Sequence, residues 1–176
     1  MIDSMQPTVD RIVWLLDGRS VSYAQYGSQD GFPIVNAHGG LACRLDVAAA
    51  DSVATAAGVR LISVDRPGIG RSDPQPGRTI GDWTREVAGL LDLIEVERFA
   101  VLGWSMGGQY AAAVGHALPH RVTRVAIIAG ALRSGFESWD SRRARHRRCT
   151  GGWPHASLVL PTARSFAGMG SRCSPV

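Results

Sequence analysis

Along the first 133 residues, short β-branched apolar runs alternate with longer stretches of helical spacing. Residues 12–16 and 21–25 read as two strands joined at Asp17-Gly18, a pair whose positive φ angles suit a tight hairpin turn. Residues 33–37 form a third apolar run, which delivers its C-terminal end to His38-Gly39-Gly40. Residues 46–57 are alanine-rich and predict a helix that stops at Gly58. Residues 59–64 are a strand ending at Asp65-Arg66-Pro67-Gly68. Thr79-Ile80-Gly81-Asp82 has the spacing of a capping box. Ile80, Trp83, Val87, Leu90, Leu91 and Ile94 then recur on one helical face. Residues 99–102 are a strand, 107–118 a helix of small residues, and 122–129 a last β-rich run. Strands alternating with helices predict an α/β fold, with a mostly parallel sheet covered on both faces.

Beyond residue 133 the periodicity stops. Residues 141–148 hold five Arg, and scattered Gly, Pro, Ser and Arg follow, with one short apolar patch at Leu158-Val159-Leu160. The chain thus divides into residues 1–133, the N-terminal part of a domain, and 134–176, an Arg/Ser/Gly-rich tail expected to be irregular or disordered. Charge divides the same way. The first 133 residues carry twelve Arg against thirteen Asp and Glu, and the tail seven Arg against two acids. The formal net charge of +4 therefore belongs to the tail. An arginine run can act as a nucleic-acid arm, but neither interleaved aromatics nor a binding fold accompanies it, so no nucleic-acid partner is expected. No apolar run approaches the roughly 20 residues of a membrane span. Residues 1–10 lack the apolar segment of a secretion signal, so the expected compartment is the cytoplasm. Cys43, Cys149 and Cys173 show no metal-ligand spacing and read as reduced thiols, with no metal and no cofactor implied.

The chemistry concentrates at Gly103-Trp104-Ser105-Met106-Gly107, which follows a strand and opens a helix. In that context Ser105 is the candidate nucleophile, projected from a sharp strand-to-helix turn. Side chains at positions 103 and 107 would clash in such a turn, which calls for glycine at both. The helix start aims backbone N–H groups at charge developing on a substrate. About 65 residues earlier, His38-Gly39-Gly40 ends a strand. The N–H groups of Gly40 and Met106 are the candidate oxyanion donors. His38 precedes the nucleophile at a strand end and reads as structural. Asp65-Arg66-Pro67-Gly68-Ile69-Gly70-Arg71-Ser72-Asp73 reads as a loop near the site mouth, shaped by Pro and Gly and anchored by charge-assisted bonds from Asp65 and Arg66.

At these three places the sequence resembles the α/β-hydrolase superfamily, over roughly residues 12–132. The resemblance implies an α/β-hydrolase core, lacking here its C-terminal strands and cap. Ser at position 105 sets the chain on the esterase, peptidase and cofactor-free perhydrolase side, away from relatives with Asp there. Leu41 stands where the oxyanion loop of proline iminopeptidases has Pro. The family's acid and histidine follow the nucleophile. The only later candidates are Glu137, Asp140, His146 and His155, and no predicted strand presents them to Ser105. Asp140 with His155 is the one imaginable shortened pair. The sequence also predicts an open apolar edge at residues 122–129. It reads as a truncated or frameshifted chain, with a natural short form as the competing account. Two functions stay open. One is a serine hydrolase for a small ester, amide or thioester with impaired turnover. The other is a non-catalytic hydrolase remnant or binding protein that uses the same pocket without chemistry.

Overall fold

The computed structural model describes residues 6–130 and the strand 158–161. Its strands are β1 (Val9–Trp14), β2 (Ser20–Gly27), β3 (Phe32–Ala37), β4 (Val59–Val64), β5 (Phe99–Trp104), β6 (Val122–Ile128) and β7 (Leu158–Pro161). Its helices are α1 (Asp51–Ala56), α2 (Asp82–Leu93) and α3 (Gly107–Ala117). Among the described residues they form one sheet in the order β1-β2-β4-β3-β5-β6-β7. The four central strands, β4, β3, β5 and β6, run parallel, and β1, β2 and β7 pair antiparallel. This is the mostly parallel α/β sheet that the alternating pattern predicts.

Successive side chains of a strand point to opposite faces. Ala24, Tyr26 and Leu61 face one side and pack with Ala48 and Ala54 of the α1 region. Val35, Ala37, Ile62, Val64 and Val101 face the other side, under α2 and α3. The apolar face read on α2 is the one buried: Trp83, Val87, Leu90 and Leu91 are fully inaccessible, and Ile80 and Ile94 pack at its ends. Each of these four residues contributes about 1.5–3 kcal/mol by burying its apolar side chain.

Several local details differ from expectation. The β1–β2 turn is not a two-residue Asp17-Gly18 loop. Leu15 N–H donates to the Arg19 carbonyl (2.9 Å) and Gly18 N–H to the Leu15 carbonyl (2.9 Å), so Leu16, Asp17 and Gly18 make a three-residue loop. Only Gly18 takes a positive φ there (+83°), as such a loop requires of its last residue, and the Asp17 carboxylate accepts from the Arg19 backbone N–H (3.1 Å) and Nε (2.9 Å). The predicted helix at 46–57 begins late. Residues 43–50 run as successive tight turns, including a 3₁₀ turn at Ala48–Ala50, before α1 starts at Asp51. Asp46 is held outside the helix by side-chain donors from Trp104 and Asn36. The capping box is half formed. The Asp82 carboxylate accepts from the Thr79 N–H (2.6 Å) and hydroxyl (2.7 Å), so that hydroxyl caps no helical N–H.

The edge expected to lie open at β6 is covered over four residues. Strand β7 pairs with it antiparallel from Arg124↔Pro161 to Ile127↔Leu158. The rest of the predicted tail, with Glu137, Asp140, His146 and His155, lies outside the described residues.

Candidate active site

The chain leaves β3 for β4 on one side and later returns to β5 on the other side of β3. Loops after β3 and β5 therefore diverge in opposite directions at the C-terminal ends of two neighbouring parallel strands. Such a reversal opens a crevice in an α/β sheet, the usual place for a ligand. The loop after β3 is His38-Gly39-Gly40, and the turn after β5 is Ser105-Met106.

Ser105 is one of three described non-glycine residues with a positive φ (+52°), a conformation that costs an L-residue about 1–2 kcal/mol. The surroundings hold it there. Its N–H donates to the Ile128 carbonyl at the end of β6 (2.9 Å), and its carbonyl accepts from Gly108 N–H (3.1 Å). A Cβ on Gly107 would collide with the Ala37 carbonyl oxygen, and one on Gly103 with the Gly107 carbonyl. This backbone contact is why the turn can lie against β3, and it is the clash read from the motif. Met106 immediately precedes α3, where the first backbone N–H groups have no acceptor within the helix.

The loop after β3 meets this turn closely. A Cβ on Gly40 would stand 2.9 Å from Met106 Cε, and one on Gly39 would stand 2.8 Å from the Trp104 ring. The fold thus brings together the three residues that the sequence singles out, Ser105, Met106 and Gly40. Trp104 is fixed in turn, since its Nε1–H donates to Asp46 (2.8 Å). The other Asp46 oxygen accepts from Asn36 Nδ2 (3.3 Å), which also donates to Ser63 Oγ (2.9 Å).

His38 is fully buried, with both ring nitrogens engaged. Nε2 accepts from the Arg66 backbone N–H (3.3 Å), which assigns the proton to Nδ1, 3.0 Å from the Gly39 carbonyl. Burial, and then the Arg66 charge, pull its pKa below the ordinary 6.5. It is a neutral structural histidine, turned away from base chemistry. The Arg66 guanidinium is also buried. It donates to the His38 carbonyl through Nη1 and to the Gly39 carbonyl through Nη2 (2.7 Å), and it lies 4.8 Å over the Tyr110 ring. Burial holds it below the usual guanidinium value.

Asp65, next in the chain, is a buried anchor. It accepts from Arg44 N–H (2.6 Å), Arg44 Nη1 (2.9 Å) and Ser22 Oγ (2.6 Å). Arg44 extends the network to Asp10 through Nε (2.8 Å) and Nη2 (3.1 Å). Those bonds from Arg44 lower the Asp10 carboxyl below its usual range against the opposing effect of burial. Reading the sequence located Asp65 and Arg66 as anchors but missed their partners. Asp10, Arg44, Asp46 and Trp104 carry no local signal, because their contacts span long stretches of chain.

No hydrogen bond joins the Ser105 hydroxyl to a histidine among the described residues. Nor do the described residues gather three or more His, Cys, Asp or Glu side chains that could hold a metal ion. None of their helices is long and apolar enough to cross a membrane.

Known proteins agree with this architecture. A family model described as the alpha/beta hydrolase fold matches residues 33–147. The 2-hydroxy-6-oxononadienedioate/2-hydroxy-6-oxononatrienedioate hydrolase of Cupriavidus pinatubonensis is 42% identical over 77 residues, which cover 43% of this chain and 27% of that protein. A non-heme chloroperoxidase of Streptomyces lividans is 32% identical over 114 residues, covering 64% and 41% of the two chains. The crystal structure of a hydrolase from Pseudomonas aeruginosa superposes with a TM-score of 0.61 at 25% identity, over 66% of this chain and 44% of that one. The chain thus spans less than half the length of these relatives.

Proposed function

This chain belongs to the α/β-hydrolase fold family, and on that premise we propose that it carries the nucleophile and oxyanion half of a serine hydrolase for a small ester, amide or thioester. The observation that carries the reading is the Ser105 turn, held at positive φ beside Gly40 and at the start of α3. In the proposed step the Ser105 oxygen attacks the substrate carbonyl carbon and the hydroxyl proton passes to a base. The carbonyl π electrons move to oxygen, and that oxyanion is met by the N–H groups of Gly40 and Met106. Collapse restores the carbonyl as the base returns its proton to the departing alcohol, amine or thiol, and water then attacks the acyl-Ser105 ester in the same way, releasing the acid and restoring the hydroxyl. The names of the relatives support small-molecule substrates: one is a hydrolase of an oxo-dienedioate, another a chloroperoxidase without heme. The reading requires no cofactor and includes a cytoplasmic setting.

A serine hydroxyl without a base is a weak nucleophile near neutral pH. Because no strand predicted from the sequence presents Glu137, Asp140, His146 or His155 to Ser105, we propose that turnover is impaired. In serine proteases that lack triad members, about 10³–10⁴-fold catalysis over water survives. The same observation favours the second reading, a binding protein that uses the crevice without chemistry. A fluorophosphonate probe separates the two. Slow labelling that disappears in Ser105→Ala supports an activated serine. Folded protein that takes no label after long exposure sinks the hydrolase reading and leaves the binding one.

A further inference from the structure

A buried cation normally takes a carboxylate partner. Arg66 is 2% exposed, yet among the described residues no carboxylate forms an ion pair with it. The nearest candidate in sequence, Asp65, is taken up by Arg44 and Ser22. Both terminal nitrogens of Arg66 go instead to two successive peptide carbonyls, those of His38 and Gly39, and the guanidinium is backed by the face of Tyr110. Its own backbone N–H is spent on the same loop, at His38 Nε2. Three donors of one residue therefore converge on a loop of three residues.

Peptide geometry gives this clamp a direction. All peptide bonds of the described residues are trans, and in a trans unit the C=O and the following N–H point in opposite directions. Holding the Gly39 carbonyl against Arg66 turns the Gly40 N–H away from the guanidinium. Holding the His38 carbonyl does the same for the Gly39 N–H. Gly40 borders Met106, so the freed N–H belongs to the part of the loop that meets the Ser105 turn. A cation bonded to a peptide oxygen also polarises that unit and strengthens its N–H as a donor.

We propose that Arg66 is a positioning residue for the oxyanion site. It aims and polarises the Gly40 N–H from behind, without touching the substrate. The proposal rests on the reading of Ser105 as nucleophile, but its test does not depend on turnover alone. One arm measures fluorophosphonate labelling of Ser105 as a maximal rate and an apparent affinity, in the full chain and in Arg66→Lys and Arg66→Met. Loss of a single oxyanion donor costs roughly 10²–10³-fold in rate. Arg66→Met is expected to lower the maximal rate on the order of 100-fold with the affinity nearly unchanged. Arg66→Lys, which keeps a charge but cannot span both carbonyls, is expected to lose about tenfold. The other arm reads the Gly39 carbonyl carbon and Gly40 amide by NMR in glycine-labelled protein. Both signals are expected to move in Arg66→Met, and less in Arg66→Lys. If wild type takes no label, the hydrolase reading has failed, and the NMR arm still decides whether Arg66 aims the loop. Should Arg66→Met not fold, Arg66→Lys supplies the same comparison. Folded variants with unchanged glycine signals, or with unchanged labelling rates where wild type labels, overturn the proposal.

Discussion

The two flanks of the sheet are built from similar strands and finished differently. On one flank β2 is buried at six consecutive positions, from Val21 to Tyr26. The α1 region covers one of its faces and α2 the other. On the other flank β6 is buried only at alternate positions along its second half. Val125 and Ile127 lie under α3, while Arg124 and Ile128 on the opposite face are exposed. Trp104, on that same side of β5, is 40% exposed. Yet Val125-Ala126-Ile127-Ile128 is apolar throughout, the composition of a parallel strand covered on both faces. Composition alone therefore overstates how much of β6 contributes to stability. The covered flank owes its cohesion to packing on both sides and to the Asp65–Arg44–Asp10 network, the other flank to one packed face.

The largest expected effect tests the network. Asp65→Ala strips a buried arginine and two other donors of their acceptor. It should cost about 3–5 kcal/mol in urea unfolding, the usual penalty for breaking a buried pair. A loss below about 1 kcal/mol would mean that packing alone holds this flank. Next comes the asymmetry of β6. Ile127→Ala is expected to destabilise by about 2–5 kcal/mol, as core Ile truncations do. Ile128→Ala on the open face should cost less than about 1 kcal/mol by the same assay. Equal losses would erase the distinction between the two faces.

The smallest effect is confined to mildly acid pH. His38 has a folded-state pKa below its ordinary 6.5, so between those values the unfolded chain binds the extra proton. The stability contributed by neutral His38 is complete above pH 6.5 and is lost as pH falls through the folded value. Thermal melts across this window should show that slope as the difference between wild type and His38→Gln. The depressed carboxyls, such as Asp10, act below their ordinary 3.8, whereas Glu86, whose carboxyl burial pushes above its ordinary 4.5, adds a slope of opposite sign that both proteins share. Equal slopes in the two proteins would assign the effect to another group.

Much of this molecule is legible in its sequence. Every central strand and both longer helices stand within a few residues of where hydrophobic period places them. The nucleophile turn could be read because its requirements are local: small residues on either side of Ser105, a strand before and a helix after. The supports of the site could not. The Trp104–Asp46 bond joins residues 58 apart and the Arg44–Asp10 bond residues 34 apart. A charged side chain does not advertise its partner when only the completed sheet brings the two together. The late start of α1 has the same origin. Asp46 fits the alanine-rich pattern, but a partner from β5 holds it outside the helix. Strand β7 escaped for a different reason, since four residues are too few to display a period.

The backbone of Ser105 has a consequence that does not depend on whether the chain turns over substrate. At φ +52° a glycine would be more comfortable than any residue with a side chain. A chain tuned only for robustness would therefore lose its hydroxyl at this position. Thermostability and reactivity pull on the same residue in opposite directions, so selecting variants for heat resistance alone would favour discarding the nucleophile.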